Sequence, residues 1–219
     1  MDGTGDLFES FVAALDGEFR VNVVRYPLNE PLGYGELETI ARAALPAEGP
    51  FVLLGESFSG PIAVSLAGSA SKELKGLILC CTFVRTPIPV LARFRWLFQY
   101  LPLAIAPVGV LSRLVLGRFS DATLRAALAR SIRKVSRPAL KARVRAVLSV
   151  DATAKLSAVT VPILYLLASR DRLVPASACA LVSRIAPSTR VVRLEAPHFL
   201  LQAVPSEAAQ VIRAFMQEM

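Results

Sequence analysis

Short apolar runs alternate with amphipathic stretches at both ends of this chain, and a longer basic and apolar stretch separates the two ends. Residues 19–26 (FRVNVVRY) and 51–54 (FVLL) are predicted strands, with a helix over 36–44 (ELETIARAA) between them. Residues 60–70 are small and apolar enough for a buried helix, and 77–83 (LILCCTF) is a third buried strand. Beyond residue 150 the alternation returns. Strands are predicted at 161–167 (VPILYLL) and 190–194 (RVVRL), and helices at 176–185 and 206–216. Strand and helix follow one another at the spacing of right-handed crossover units, so the fold class is α/β: a mostly parallel sheet flanked by helices. No internal repeat is visible.

Composition places the middle segment apart. With 219 residues and 54% hydrophobic content the chain can bury a large core, which predicts one globular domain carrying an insertion. The core spans 1–85 and 151–219, and 86–150 forms a helical cap or lid. That insertion holds twelve Lys and Arg against the single acid Asp121, so the net charge of +8 belongs to it and the remainder is mildly acidic. Cationic residues interleave with apolar ones from Leu124 onward, as in amphipathic helices with a basic face. Such a face is a solvated surface over an apolar pocket, or a docking surface for an anionic membrane or an acidic acyl-carrier protein. Nucleic acid is disfavoured, because Phe94, Trp96, Phe98 and Tyr100 precede the basic helices instead of interleaving with them.

Other composition limits are brief. Cys80, Cys81 and Cys179 form neither a disulfide framework nor a metal-ligand spacing, and His198 is the only histidine, so no metal and no cofactor is expected. The first ten residues carry Asp2, Asp6 and Glu9 and lack a signal-peptide pattern, so a reducing cytoplasm is the expected compartment. The uncharged stretch 96–112 approaches membrane-spanning length but contains Pro102, Pro107 and Gly109, as buried hairpins do.

Three strand ends carry the chemistry. Gly55-Glu56-Ser57-Phe58-Ser59-Gly60 follows FVLL directly and opens a helix, which puts Ser57 on a sharp turn with its hydroxyl at the carboxyl edge of the sheet. Taken alone, the motif also fits a glycine-rich turn without chemistry. Asp171 follows the strand VPILYLL, and although an aspartate between two arginines is commonly a surface turn residue, Pro175 is well placed to begin the next helix. His198 follows the last strand. A serine hydroxyl is a poor nucleophile until an imidazole takes its proton, and a carboxylate fixes that imidazole's tautomer. The order Ser, Asp, His along successive strand ends suits this chemistry.

On these residues the chain resembles the α/β-hydrolase superfamily, in its capped esterase-like branch. The resemblance covers nearly the whole chain: residues 2–8 (DGTGDLF) as an oxyanion loop, GESFSG as the nucleophile elbow, SRDRLVP as the acid turn and APHFLLQAVP as the histidine loop. It implies Ser57 as nucleophile, Asp171 as acid and His198 as base. It also implies an oxyanion hole formed by the backbone N–H of Phe58 and a second donor at Met1, a terminal amine if the chain starts there. Two departures stand out. Ser59 occupies the fifth motif position, where the family has glycine. The strands that precede the oxyanion loop in the family are missing, so the expected fold is N-terminally truncated, by a start assigned too late or a shortened chain. The sheet then closes the gap or borrows a strand from a partner, as in a homodimer.

The function so implied is hydrolysis of a carboxylic ester with an apolar part beneath the basic cap, through an acyl-enzyme. Acyltransferase, thioesterase and amidase chemistry use the same triad and stay open. So does a catalytically silent scaffold binding a membrane or an acidic protein through the cap. Haloalkane dehalogenation would need a carboxylate in place of Ser57.

Overall fold

Four strands, β1 (Phe51–Glu56), β2 (Leu74–Cys80), β3 (Ile163–Ala168) and β4 (Arg190–Leu194), lie side by side in that order, each parallel to its neighbour. A computed structural model of the chain describes residues 2–15, 17–69, 72–87 and 108–219. Met1 and the aromatics Phe94, Trp96, Phe98 and Tyr100 lie outside the described residues, as does most of the uncharged stretch 96–112. Among the described residues no helix is long and apolar enough to cross a membrane.

Period-two alternation puts both faces of the sheet to use. Ile78, Cys80, Leu164 and Leu166 point into one buried cluster with Phe11, Ala208, Ile212 and Phe215, contributed by α1 (Glu9–Ala14) and the C-terminal helix Pro205–Gln217. Leu77, Leu79, Ile163 and Tyr165 point the other way, into a cluster with Val64, Leu156 and Val182. Those three come from α3 (Gly60–Ala67), the short helix Thr153–Ser157 and the helix Ala176–Ile185. Each fully buried aliphatic side chain contributes about 1.5–3 kcal/mol, so two filled faces are what hold the sheet. Helix α2 (Tyr34–Ala43) closes a smaller cluster over α3, where Leu37, Phe58, Ile62 and Leu66 meet.

Between β2 and β3 the described part of the expected insertion is largely helical: α4 (Val108–Val115), α5 (Ala122–Lys134) and α6 (Arg137–Ser149). Helix α5 starts where Asp121 accepts from the Leu124 amide, and α6 where Ser136 accepts from the Ala139 amide, with Pro138 in its first turn. Leu7, Val115, Leu116 and Leu128 bury one another beside Leu173 and Phe199, which ties the insertion to the loops around Asp171 and His198.

Two predicted strands require correction. Residues 19–26 form no strand, because a ladder needs a partner and among the described residues β1 pairs only with β2. The segment is held instead by single contacts, such as the Tyr26 amide on the Gly3 carbonyl and the Asn22 side chain on the Ala44 carbonyl. The strand predicted at 77–83 runs from Leu74 to Cys80, since Cys81 takes a left-handed φ of 45° and turns the chain out of the sheet.

Candidate active site

All four strands run the same way, so their carboxyl ends share one edge, where α/β proteins place their ligands. Each strand end delivers a polar side chain there: Ser57 after β1, Thr82 after β2, Asp171 after β3 and His198 after β4.

The turn at Ser57 is sharp and crowded. Ser57 sits at φ 50°, a left-handed conformation that a serine adopts only at a cost, and it opens a single 3-10 turn leading into α3. A Cβ on Gly55 would lie 2.7 Å from the Ala63 Cβ, and one on Gly60 would lie 1.9 Å from the Thr82 hydroxyl oxygen. The two positions that must be glycine are therefore 55 and 60. Position 59 tolerates serine, and its side chain meets the Tyr26 hydroxyl. Thr82 donates its hydroxyl to the Ser57 carbonyl and so braces the turn from the neighbouring strand.

Ser57 Oγ lies 2.8 Å from His198 Nε2, and His198 Nδ1 lies 2.8 Å from Asp171 Oδ2. The other carboxylate oxygen, Oδ1, accepts from the Leu173 amide at 2.8 Å and the Val174 amide at 2.9 Å. Oδ2 is thereby aimed at the ring. As a carboxylate, Asp171 accepts a hydrogen bond from Nδ1–H, which leaves the Nε2 lone pair facing the serine hydroxyl. His198 is 2% exposed, so water does not compete for these bonds. Backbone bonds lace the two loops together, with Ser169 and Arg170 donating to the Leu194 and Ala196 carbonyls, and Phe199 donating to Val115 of α4.

Phe58 is buried and stacks on Tyr34 with ring centroids 4.8 Å apart, while the Tyr34 hydroxyl donates to the Phe58 carbonyl. Its peptide is thereby fixed, and its N–H lies in the first turn of a helical segment, where amides have no partner in the preceding turn. The second expected oxyanion donor, Met1, lies outside the described residues. The loop after it is ordered by its own residues: Asp2 accepts from both the amide and the hydroxyl of Thr4, and Thr4 accepts from the Asp6 amide.

Besides Thr82, three residues beside the site escaped the sequence reading. Glu56, next to the serine, is half-buried with its carboxyl enclosed, and accepts from Gln202 Nε2 at 3.0 Å; desolvation pushes its carboxyl above the ordinary value. An acid at the end of an apolar strand was the available signal. Gln202 gave none. Arg143, expected on the basic face, is instead wholly buried. Its spacing of four from both Ala139 and Val147 places it on the inward stripe of α6, a signal the count of charges obscured. A cleft of about 700 Å³ lies elsewhere, between α2, α3 and α6; neither Ser57, Asp171 nor His198 lines it. Among the described residues no group of three His, Cys, Asp or Glu side chains is placed to hold a metal ion.

Comparison with known proteins agrees with this architecture. The model of the Alpha/beta hydrolase family matches residues 3–214. Among solved structures, a hydrolase from Oleispira antarctica superposes with a TM-score of 0.83 at 15% identity, over 100% of this chain and 89% of the other. A hydrolase from Pseudomonas aeruginosa gives 0.80 at 19% identity, over 98% and 86%. An esterase from Thermogutta terrifontis gives 0.74 at 20% identity, over 98% and 86%. No curated protein matches the sequence.

Proposed function

The chain belongs to the alpha/beta hydrolase family, and from that premise we propose that it hydrolyses carboxylic esters through an acyl-enzyme formed on Ser57. One observation carries the reading: the unbroken hydrogen-bonded chain from Ser57 through His198 to Asp171, with 2.8 Å at each link. His198 takes the hydroxyl proton through Nε2 as Ser57 Oγ attacks the ester carbonyl, and returns it to the departing alcohol. Water then attacks the acyl-enzyme with the same nitrogen as base, which frees the acid and restores the serine. The carbonyl oxygen gains negative charge in each step. The Phe58 N–H receives it, together with a second donor expected at Met1, just ahead of the loop at 2–8.

The apolar residues beside the triad support an apolar acyl or alkyl group. Leu173 and Phe199 flank Asp171 and His198 and pack with Leu7, Leu116 and Leu128. Exposed arginines on the insertion, among them Arg130, Arg133, Arg137 and Arg145, favour an anionic membrane surface or an acidic acyl carrier as the place where substrate is met. With a carrier or alcohol as acceptor in place of water, the same serine would act as an acyltransferase.

A fluorophosphonate probe tests the central reading. Wild type is expected to label and to hydrolyse p-nitrophenyl esters, and Ser57→Ala to do neither. A folded wild type that neither labels nor turns over any ester in a panel of increasing acyl length would leave a binding scaffold as the function.

A further inference from the structure

The cleft between α2, α3 and α6 is built from one face of each helix. On α6 its lining falls at 138, 141, 142, 145, 146 and 149, the three- and four-residue steps of a single stripe. Helix α2 contributes Tyr34, Gly35 and Glu38, and α3 contributes Pro61, Ile62 and Ser65. Small residues keep the space open. Ala142 and Ala146 lie in the middle of the α6 stripe, and a Cβ on Gly35 would meet nothing within 4 Å. At about 700 Å³ the cleft has the size of a small-molecule site.

These faces give the cleft two chemical characters. Tyr34, Pro61, Ile62 and the two alanines form an apolar surface, whereas Lys141, Arg145 and Lys155 bring three cations. Two acids line it as well. Glu38 pairs with Arg42 at 2.8 Å besides Lys155 at 3.2 Å, and Asp151 pairs with Arg85 at 3.2 Å. Neither Arg42 nor Arg85 lines the cleft, so cations outside it take up part of the acids' charge and the lining keeps a positive excess. Lys141 and Arg145 stand one turn apart on the same face, a spacing from which two side chains can hold one carboxylate. Lys155 donates to Ser65, which is buried and donates in turn to Glu38; the third cation is thereby fixed at the α3 side.

We propose that this cleft is a second binding site, separate from the triad, for a single-chain aliphatic carboxylate. The chain lies against Tyr34, Ile62 and the two alanines, and the carboxylate sits on Lys141 and Arg145. None of Ser57, Asp171 and His198 lines the cleft, so binding there requires no catalysis. A carboxylate head, in preference to a phosphate, follows from the proposed reaction, whose product is an acid of this class; that choice alone rests on the hydrolase reading.

Calorimetric titration of the full chain with octanoate is the test, after Ser57 has been blocked with the fluorophosphonate so that the catalytic pocket does not contribute. One octanoate per chain is expected to bind, at least about tenfold more tightly than butyrate, since each buried methylene is worth about fourfold. Gly35→Leu, which puts a side chain into the cleft, and the pair Lys141→Glu with Arg145→Glu should each weaken octanoate binding about tenfold or more. Octylammonium should not bind. Circular dichroism identifies a variant that fails to fold, and the charge-reversed pair, on side chains that reach solvent, then carries the comparison. The proposal is overturned by absence of octanoate binding at millimolar concentration, by unchanged octanoate affinity in either folded variant, or by octylammonium binding as tightly. Binding of octyl phosphate without binding of octanoate overturns the carboxylate assignment. A wild type that the fluorophosphonate does not label overturns the hydrolase reading instead, and octanoate titrated into that unblocked protein still decides the cleft.

Discussion

Substituting Gly60 by alanine adds one methyl group where the structure has no space for it. Its Cβ would lie 1.9 Å from the Thr82 hydroxyl oxygen and 2.7 Å from both the Cβ and Cγ2 of that residue, below the 3.0 Å that real Cβ contacts keep. Neither side yields easily. Thr82 is fully buried, its amide is held by donating to the Tyr165 hydroxyl, and its own hydroxyl braces the Ser57 carbonyl. Helix α3 is buried at all eight of its residues. Relief therefore needs a backbone shift of about 1 Å, at an overpacking cost of about 1–3 kcal/mol. Loss of the Thr82 hydroxyl bond adds about 1 kcal/mol. The sum, roughly 3 kcal/mol, lowers the melting temperature by about 6–12 °C in a chain of this size. A displacement of about 1 Å at Ser57, the proposed nucleophile, costs about 100-fold in turnover. Thermal melts and ester hydrolysis measure both effects. The double variant with Thr82→Ala isolates the cause, because alanine removes Oγ1 and Cγ2 and leaves only the 2.7 Å contact with Cβ. The two substitutions should then couple favourably by about 1 kcal/mol or more. A Gly60→Ala protein that melts within 2 °C of wild type refutes the steric account, as does a loss that Thr82→Ala leaves unchanged.

Two further predictions concern carboxylates. Asp171→Asn should keep its oxygen on the Leu173 and Val174 amides, which turns the NH₂ group toward His198 Nδ1 and favours the tautomer with the proton on Nε2. That tautomer cannot accept the serine proton, so kcat should fall about 10⁴-fold at neutral pH; a fall of less than tenfold counts against the assignment. For Glu56, burial raises the folded carboxyl above its ordinary 4.5, so the folded chain keeps this proton to higher pH than the unfolded chain does. Its contribution is fully present below 4.5 and is lost as pH rises through the folded value. Glu56→Gln removes that loss, and its stability relative to wild type should increase between pH 4 and pH 8 in urea titrations. A difference that does not vary with pH would show that the carboxyl titrates alike in both states.

Local pattern and distant pairing explain which features the sequence discloses. Strand β4 and the helix Ala176–Ile185 fall where hydrophobic periodicity puts them, since both depend on residues close in the chain. The segment 19–26 has the same alternation as β4, yet a strand exists only where another backbone supplies its hydrogen bonds, and that partner is not encoded in the segment itself. The helix Glu9–Ala14 has only six residues, too few for a periodicity to register.

The same division runs through the site. Ser57, Asp171 and His198 were legible because each follows an apolar strand whose direction is shared, and a shared direction brings the following residues to one edge. Thr82 and Arg143 were not, because their partners lie 25 and 141 positions away and no local pattern names them. The elbow's departure from its family follows from this. Glycine is demanded wherever the neighbouring backbone or side chain comes closest, and here Thr82 presses on position 60 while position 59 looks toward Tyr26. Serine at 59 and glycine at 60 are thus consequences of what packs against the turn, and a chain with a smaller residue at 82 would be free to place them otherwise.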